Sequence, residues 1–584
     1  MKKRNHTEAM ARRSFELRWH FVVGCLLLGG VVLTARAVHL QVFNTEFLTQ
    51  QADVRHLRVA KISTHRGVIT DRNGEPLAVS TPVDSIWVNP RQLAQFAARI
   101  PELADAMKID GDELTRRVTQ NTSKEFMYLR RHMRPSDAAV IDALDIPGVG
   151  VEREYRRYYP AGEVAGHLIG FTNIDDAGQE GLELAFDQWL AGEPGKKRVL
   201  KDRLGQVVED VERIKQPSPG RELVASIDLR IQYLAYRELK AAIRRSSAAS
   251  GSVVVLDVAT GEVLAMVNQP SFNPNDRAQF AASKYRNRAI TDIFEPGSSL
   301  KTLIIAAALE SGDYSRNSTV DTSPGYVKVG NKVIEDHSNL GRISLTTLLA
   351  KSSNVAATKV AMSLPSDELY SVLAGFGLGR LSASSFPGES AGLLSHHSNW
   401  RPISQATLAY GYGLSVTPLQ LAQAYAIIAG DGLHRPVSLL KAEQQPISRR
   451  VVSASTSRDV IGMLEAVVSS AEGTGKRAAV SGYRVGGKTG TARKASAGGY
   501  AEDRYTAVFA GIAPVSNPRL AIVVIVDDPT GTEYYGGDVA APVFADVAQG
   551  ALRILAVPPD DFPLPNNDGP RLAAERRGAP ERLQ

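Results

Sequence analysis

Fifteen consecutive residues near the amino terminus, Phe21–Ala35 (FVVGCLLLGGVVLTA), carry no charge, and a long polar chain follows them. A stretch this apolar must leave water, which divides the chain at once into a lipid-seeking segment and a body. A spanning helix needs about 20 residues. Trp19 and Phe43 can sit at the two interfaces, and Arg36 and His39 can reach headgroups from one end. Residues 19–43 are therefore read as a transmembrane anchor. Lys2, Lys3, Arg4, Arg12, Arg13 and Arg18 precede it against Glu8 and Glu16. That basic excess makes residues 1–18 a cytoplasmic tail and puts everything after residue 43 outside the cytoplasm. The competing reading is a cleaved signal peptide, because Ala35-Arg36-Ala37 resembles a cleavage site. Against it, apolar residues continue through Val38, Leu40, Val42 and Phe43. The basic flank and the terminal position argue against a buried helix of a soluble body.

The 584 residues exceed one compact domain, and roughly 100–200 residues per domain predicts three or four units. With 43% apolar and 22% charged residues there is material for large cores. The net charge of +6 comes partly from the first twenty residues. No Lys/Arg block is interleaved with aromatics, so a nucleic-acid partner is not expected. Cys25 is the single cysteine, so no intramolecular disulfide and no Cys/His metal cluster can be built on it. An exported chain with cores this large folds without such staples.

Turn signals at His65-Arg66-Gly67 and Asp71-Arg72-Asn73-Gly74-Glu75-Pro76 separate β-rich pieces at Gly67–Thr70, Leu77–Ser80 and Ser85–Val88. Residues 92–145 read as a helical, polar lobe. Pro217-Ser218-Pro219-Gly220 marks a boundary, so 44–220 is taken as one elongated, non-catalytic pedestal. The next unit spans 221–557. It opens with a helix over Asp228–Arg245, whose apolar face is Ile231, Leu234, Ala235, Leu239, Ala242 and Ile243. Ser252–Val258 and Glu262–Val267 form a hairpin across Ala259-Thr260-Gly261. Lys301–Leu309 is helical. Tyr483–Lys488, Tyr505–Ala513 and Leu520–Asp527 read as strands of an antiparallel sheet, closed by a helix over Ala541–Leu555. Residues 558–584 have few large apolar side chains and are expected to be disordered.

Three short motifs fall inside this second unit. The first is Phe294-Glu295-Pro296-Gly297-Ser298-Ser299-Leu300-Lys301. Pro-Gly makes a turn before an apolar helix, so Ser298 meets outward-pointing N–H groups at the positive end of a dipole. Lys301 stands one turn on, beside the serine. A serine hydroxyl needs a nearby base to become a nucleophile, and a partly buried lysine with a depressed pKa supplies one. The second motif is Ser352-Ser353-Asn354, between two apolar runs. The third is Lys488-Thr489-Gly490-Thr491, on a strand, where the glycine admits a close approach and the lysine and hydroxyls suit a carboxylate. Taken singly, each also describes a helix cap, a polar loop or a strand-end turn.

Together, S-x-x-K, S-x-N 54 residues later and K-T-G a further 136 on follow the order found in penicillin-binding proteins and serine β-lactamases. The chain resembles the class B penicillin-binding proteins, most of all the Gram-negative division-specific D,D-transpeptidase. The resemblance adds Arg66-Gly67 with Asp71-Arg72-Asn73-Gly74, Arg157-Tyr158-Tyr159-Pro160-Ala161-Gly162, Ser226-Ile227-Asp228 with Gln232, and Tyr410-Gly411-Tyr412-Gly413. It runs from the anchor to about residue 556. Thr302, where the family commonly has proline, departs from the pattern.

The resemblance implies an α+β fold: a membrane helix, a β-rich pedestal, and a transpeptidase domain. That domain would hold an antiparallel five-stranded sheet flanked by helices and an all-helical subdomain. It implies that Ser298 attacks the D-Ala-D-Ala carbonyl of a stem pentapeptide, with Lys301 as its base. Ser352, helped by Lys488, would relay a proton to the leaving nitrogen. Asn354 would bond the substrate amide, and Thr489, Gly490 and Thr491 would receive its carboxylate. The N–H groups of Ser298 and Thr491 would form the oxyanion hole. Tyr412, Arg493, Tyr505, Tyr534 and Tyr535 would line the groove, and Glu295 would tie down the turn. No metal or cofactor is implied. The implied partners are β-lactam antibiotics, a polytopic glycan polymerase and other division proteins. Its place would be the inner membrane, with the body periplasmic.

The elongation-specific paralogue is the nearest rival. A β-lactamase would need a second base, and Glu389 lacks the matching context. A non-catalytic scaffold or β-lactam sensor is the rival from another class, and a carboxypeptidase side reaction stays open.

Overall fold

The computed structural model describes residues 2–43, 57–201, 207–279, 281–496 and 499–561. A helix over Lys2–Val38 ends in a π-turn, His39–Phe43. Its stretch Leu17–Val42 is long and apolar enough to cross a membrane. Leu26, Leu28, Val31 and Leu33 stand exposed, as lipid-facing side chains do. Of the expected disordered tail 558–584, residues 562–584 lie outside the described residues.

The chain divides into two compact units. One holds residues up to Thr64, Pro82–Tyr155 and Glu193–Pro219; the other holds His65–Thr81, Arg156–Gly192 and all that follows Gly220. The division by sequence into 44–220 and 221–557 is thus cut differently by contact. Two stretches of the 44–220 segment pack with the catalytic half.

In the first unit, Leu57–Ile62, Gly195–Lys201 and Val207–Lys215 form an antiparallel sheet. Ile86, Val88, Leu93, Leu103, Leu114 and Ile141 make a separate core. The lobe at 92–145 is helical over Ile100–Met107, Gly111–Gln120 and Pro135–Asp142, but it also contains a strand, Met127–Met133. That segment buries Leu129 and Met133 and leaves Arg130 exposed, so its sides face core and solvent as a strand's do. Leu77–Ser80 and Ser85–Val88 are parts of one strand, Pro76–Val88. Pro82 does not break it, because proline and the residue before it both favour extended backbone.

The second unit is built on a five-stranded antiparallel sheet. After helix α1 (Leu229–Arg245) come β1 (Ser250–Asp257) and β2 (Val263–Gln269). Helix α2 (Lys301–Glu310) and a hairpin, β3 (Tyr326–Val329) and β4 (Lys332–Glu335), follow. Helices α3 (Leu345–Lys351), α4 (Asn354–Ser363) and α5 (Pro418–Ala429) lead to β5 (Gly486–Ser496), β6 (Gly499–Ala513), β7 (Leu520–Asp527) and α6 (Ala541–Ile554). The sheet order is β2-β1-β7-β6-β5, which leaves β5 at an edge. Val254, Leu256, Val523 and Ile525 pack into the helical core with α2 and α5. Val253, Val255, Val524 and Val526 pack on the other face with α1 and α6. Both faces are covered, so the strands read as unbroken apolar runs. Asp228 caps α1 by accepting from Arg230 N–H, and Ile231, Ala235, Leu239 and Ala242 are buried as expected.

The motif residues at 65–81 and 156–192 serve this unit's framework. Glu183 is buried between Arg66 Nε and Arg157 Nε, each 2.6 Å from one of its carboxylate oxygens. Arg66 also donates to Asp187 at 2.7 Å. Asp71 accepts from the N–H groups of Asn73, Glu75 and Leu229, which docks its turn on the start of α1. Gln232 bonds both the N–H and the carbonyl of Met266, tying α1 to β2. Removing Glu183 would take from Arg157 and Arg66 the buried carboxylate they share and leave Arg66 with Asp187. Glu183→Ala is expected to cost about 3–5 kcal/mol, seen as a lower denaturant midpoint of the detergent-solubilised chain.

Candidate active site

Ser298 lies on a 3-10 turn, Gly297–Leu300, that runs directly into α2. Gly297 takes φ +56°, a conformation that a side chain disfavours. Its N–H donates to Gly411 O at 3.2 Å, which brings Tyr410-Gly411-Tyr412 against the turn. The approach is so close that a Cβ on Gly411 would meet Gly297 O at 2.0 Å. Ser298 itself is half-buried. Thr302 is not idle: its hydroxyl bonds Tyr425 Oη at 2.8 Å, and Tyr425 donates to Ser299 O at 2.9 Å. The hydroxyl that replaces proline therefore braces the serine turn from behind.

Lys301 is fully buried. Its Nζ lies 2.6 Å from Ser352 O and 2.7 Å from Asn354 Oδ1, and 3.1 Å from both Ser298 Oγ and Ser352 Oγ. Burial holds its pKa well below the usual lysine range, and the charge of Lys488 lowers it further, while Asp336 works the other way. A neutral amine has two hydrogens and one lone pair. The two shortest contacts are to oxygens that only accept, so they take the hydrogens. The lone pair is left for a hydroxyl, and Ser298 and Ser352 are the hydroxyls within reach. Ser352 ends α3 in the left-handed region at φ +60°, and Ser353 caps α4.

Lys488 is also fully buried, and burial pushes it down to about 7. It donates to Thr489 O and Thr489 Oγ1 at 3.0 and 3.2 Å. Thr489 Oγ1 lies 3.0 Å from Thr474 Oγ1, and Thr491 Oγ1 accepts from Gly536 N–H at 3.0 Å. The Thr491 hydroxyl proton is thereby left to donate to an anion. Arg493 N–H donates to Tyr412 Oη at 3.1 Å, away from β6. Alternation along a strand gives Thr491 N–H the same outward direction. Gly490 explains itself by contact: a Cβ there would lie 2.8 Å from Pro296 O and 3.2 Å from Val508 Cβ. The strand and the serine turn touch through that missing side chain.

Tyr505, Tyr534 and Tyr535 form one continuous stack with 4.4 Å between successive rings. Tyr412 packs edge-on against Tyr500 at 5.2 Å. Glu295 accepts from Gly413 N–H at 2.9 Å and from Tyr500 Oη at 3.0 Å, a tie on the turn. Arg493 is exposed. Glu389 is taken up within its own loop by Ser382 N–H and the Ser384 hydroxyl. Sequence reasoning missed Tyr500, Thr474 and Asp336, which belong to no motif and meet the site only through the fold.

A nucleophile turn, a buried lysine pair and an edge strand, set on this sheet between two helical layers, define a serine acyltransferase of the penicillin-recognising kind. Residues 251–549 match the penicillin binding protein transpeptidase domain, and residues 61–225 match the penicillin-binding protein dimerisation domain. The chain belongs to the penicillin-binding protein transpeptidase family. It is 43% identical to the peptidoglycan D,D-transpeptidase FtsI of Escherichia coli (strain K12), over 93% of each chain. It is 42% identical to the probable peptidoglycan D,D-transpeptidase PbpC of Pseudomonas aeruginosa, over 96% of this chain and 98% of that one. Among solved structures, penicillin binding protein 3 of Mycobacterium tuberculosis complexed with aztreonam aligns with a TM-score of 0.67 at 29% identity. It covers 86% of this chain and 98% of that one.

Gly490→Ala is expected to push the serine turn off β5 and slow acylation of Ser298 by about tenfold or more, since small displacements at a reacting centre are costly. Labelling rates with a fluorescent penicillin check it.

Proposed function

We propose that this chain is a peptidoglycan D,D-transpeptidase of septal wall synthesis, anchored in the inner membrane with its body in the periplasm, and acylated by β-lactams. The observation that carries the reading is the fully buried Lys301 amine, held by Ser352 O and Asn354 Oδ1 with its Nζ 3.1 Å from Ser298 Oγ. The near full-length similarity to FtsI supports the septal assignment.

In this reading Ser298 Oγ gives its proton to Lys301 Nζ and attacks the carbonyl of the penultimate D-Ala of a stem pentapeptide. The N–H groups of Ser298 and Thr491 receive the oxyanion. The C–N bond breaks, and the proton passes through Ser352 Oγ to the departing D-Ala nitrogen, with Lys488 assisting. Thr489 and Thr491 hold the terminal carboxylate, and Asn354 bonds the peptide amide. The amine of a neighbouring stem then attacks the ester, forms the cross-link and returns the proton to Ser298. The outward edge of β5 offers the backbone groups along which a donor peptide lies. Tyr412, Arg493 and the Tyr505–Tyr534–Tyr535 stack line the groove. The half before the catalytic sheet contacts a polytopic glycan polymerase and other division proteins.

A fluorescent penicillin is expected to leave one stable adduct on the full chain by intact mass, and none on Ser298→Ala. A folded wild-type chain that leaves penicillin intact and unlabelled would sink the catalytic reading and favour a scaffold. Rapid hydrolysis without an adduct would point to a β-lactamase.

The pH profile has a definite sign. Burial, with the charge of Lys488, holds the pKa of Lys301 well below the usual lysine range, so its base form is present at lower pH than an ordinary lysine's. Acylation should therefore level off well below the usual lysine range and fall on the acid side as Lys301 gains its proton. An unshifted lysine would instead give a rate climbing about tenfold per pH unit up to the lysine range.

A further inference from the structure

Building on the acyl-transfer reading above, we propose that Asp336 is a positioning residue of the acylation machinery: it fixes Asn354 against Lys301 and supplies the carboxylate charge that faces the buried lysine pair. Asp336 follows β4 directly, and its N–H donates to Gly325 O at 3.1 Å. The hairpin that presents it packs Val329 and Ile334 on Ala406. Its Oδ1 accepts from Asn354 N–H at 2.6 Å and from Val355 N–H at 3.1 Å, and its Oδ2 accepts from the Ser353 hydroxyl. The first N–H groups of α4 are thus closed by a carboxylate.

The residue capped in this way is the one whose Oδ1 takes a hydrogen from Lys301 at 2.7 Å. Asn354 therefore bridges Asp336 on its backbone side and Lys301 on its side-chain side. Beside it, Ser352 sits in the left-handed region, which a non-glycine residue keeps only when its surroundings hold it there. The clamp on Ser353, Asn354 and Val355 is such a surrounding.

Charge makes the second half of the argument. Lys301 faces Ser298 from its own leading turn, Ser352 and Asn354 from the α3–α4 turn, Lys488 from β5 and Asp336 from the hairpin. Other charges on the elements packed against α2 are engaged elsewhere. Lys351 pairs with Glu472, Glu465 with Arg484, and Asp459 with Arg316, while Lys359 donates to Asp321 O. Glu310, at the far end of α2, accepts from Ser453 N–H and Thr456 Oγ1. Arg458, Asp367 and Glu368 are exposed. Asp336 is the carboxylate whose field opposes the effect of Lys488 on Lys301.

The test is the rate of fluorescent-penicillin labelling of the detergent-solubilised full chain against pH, for wild type, Asp336→Asn, Asp336→Ala and Ser353→Ala. Asp336→Asn keeps the shape and removes the charge, so protonating Lys301 becomes harder and the acid limb should move down by about half a pH unit or more. Asp336→Ala should also lower the plateau about tenfold. Ser353→Ala, which loosens the turn but leaves the charge, should lower the plateau without moving the limb. An Asp336→Asn profile that superimposes on wild type in both limb and plateau overturns the proposal, as does an Asp336→Ala chain with the wild-type rate. If Asp336→Ala does not fold, the isosteric Asp336→Asn decides. An unlabelled wild type overturns the acyl-transfer reading itself, and this inference with it.

Discussion

An amine shut away from water next to a second buried lysine is the constraint around which this structure is arranged. Two ammonium groups cannot share such a site, because burial and mutual repulsion both penalise the charged forms. Lys301 and Lys488 are both fully buried and both depressed. The dry surroundings that achieve this come from α2, which is buried from Lys301 through Ala308. A helix covered on every side has no polar face to read, which is why Lys301–Leu309 shows no amphipathic pattern. Its apolar run is a requirement of the chemistry as much as of the fold.

The sheet supplies the other half of the site by what it leaves undone. Three strands are paired on both sides, whereas β2 and β5 are the sheet's edges, and β5 is the edge that meets the serine turn. An open edge is a hazard in most folds; here the serine turn and Tyr412 cover part of it. Glycines at 490 and 411 allow backbones to touch where any side chain would hold them apart. Ser298 and Lys301 share one turn, but Ser352, Asn354 and the edge strand come from segments distant in sequence, so their spacing to that turn is set by packing.

The motifs outside the catalytic triplet of sequences do different work. Arg66, Arg157 and Glu183 form a closed, buried ion group. Breaking such a group costs far more than forming it gains, so it acts as a registry pin for the segments it joins. Asp71, Asn73 and Asp228 make a second pin at the head of α1. Residues that look functional because they are charged and clustered thus serve the scaffold, and the hydroxyl of Thr302 turns out to brace the serine turn.

Much of this was legible in the linear chain. The order of Ser298, Lys301, Ser352, Asn354 and Lys488 points to the chemistry, because motifs that singly describe caps and turns fall together in one order and spacing. Long apolar runs announced the lipid-facing helix and the central strands, since period and length are local properties. The strand at Met127–Met133 and the continuity of Pro76–Val88 were not legible, because strand pairing is decided by a partner far along the chain. Nor were Tyr500, Thr474 and Asp336, whose importance lies only in what they touch. The sequence by itself determined the order of the motif residues and which segment is long and apolar enough to cross a membrane. Tertiary structure alone decided that the lysine would be held below its usual range, that β5 would be the edge beside the serine turn, and that an aspartate on a hairpin would face the site. Desolvation, edge exposure and long-range fields are properties of the packed chain and of no segment within it.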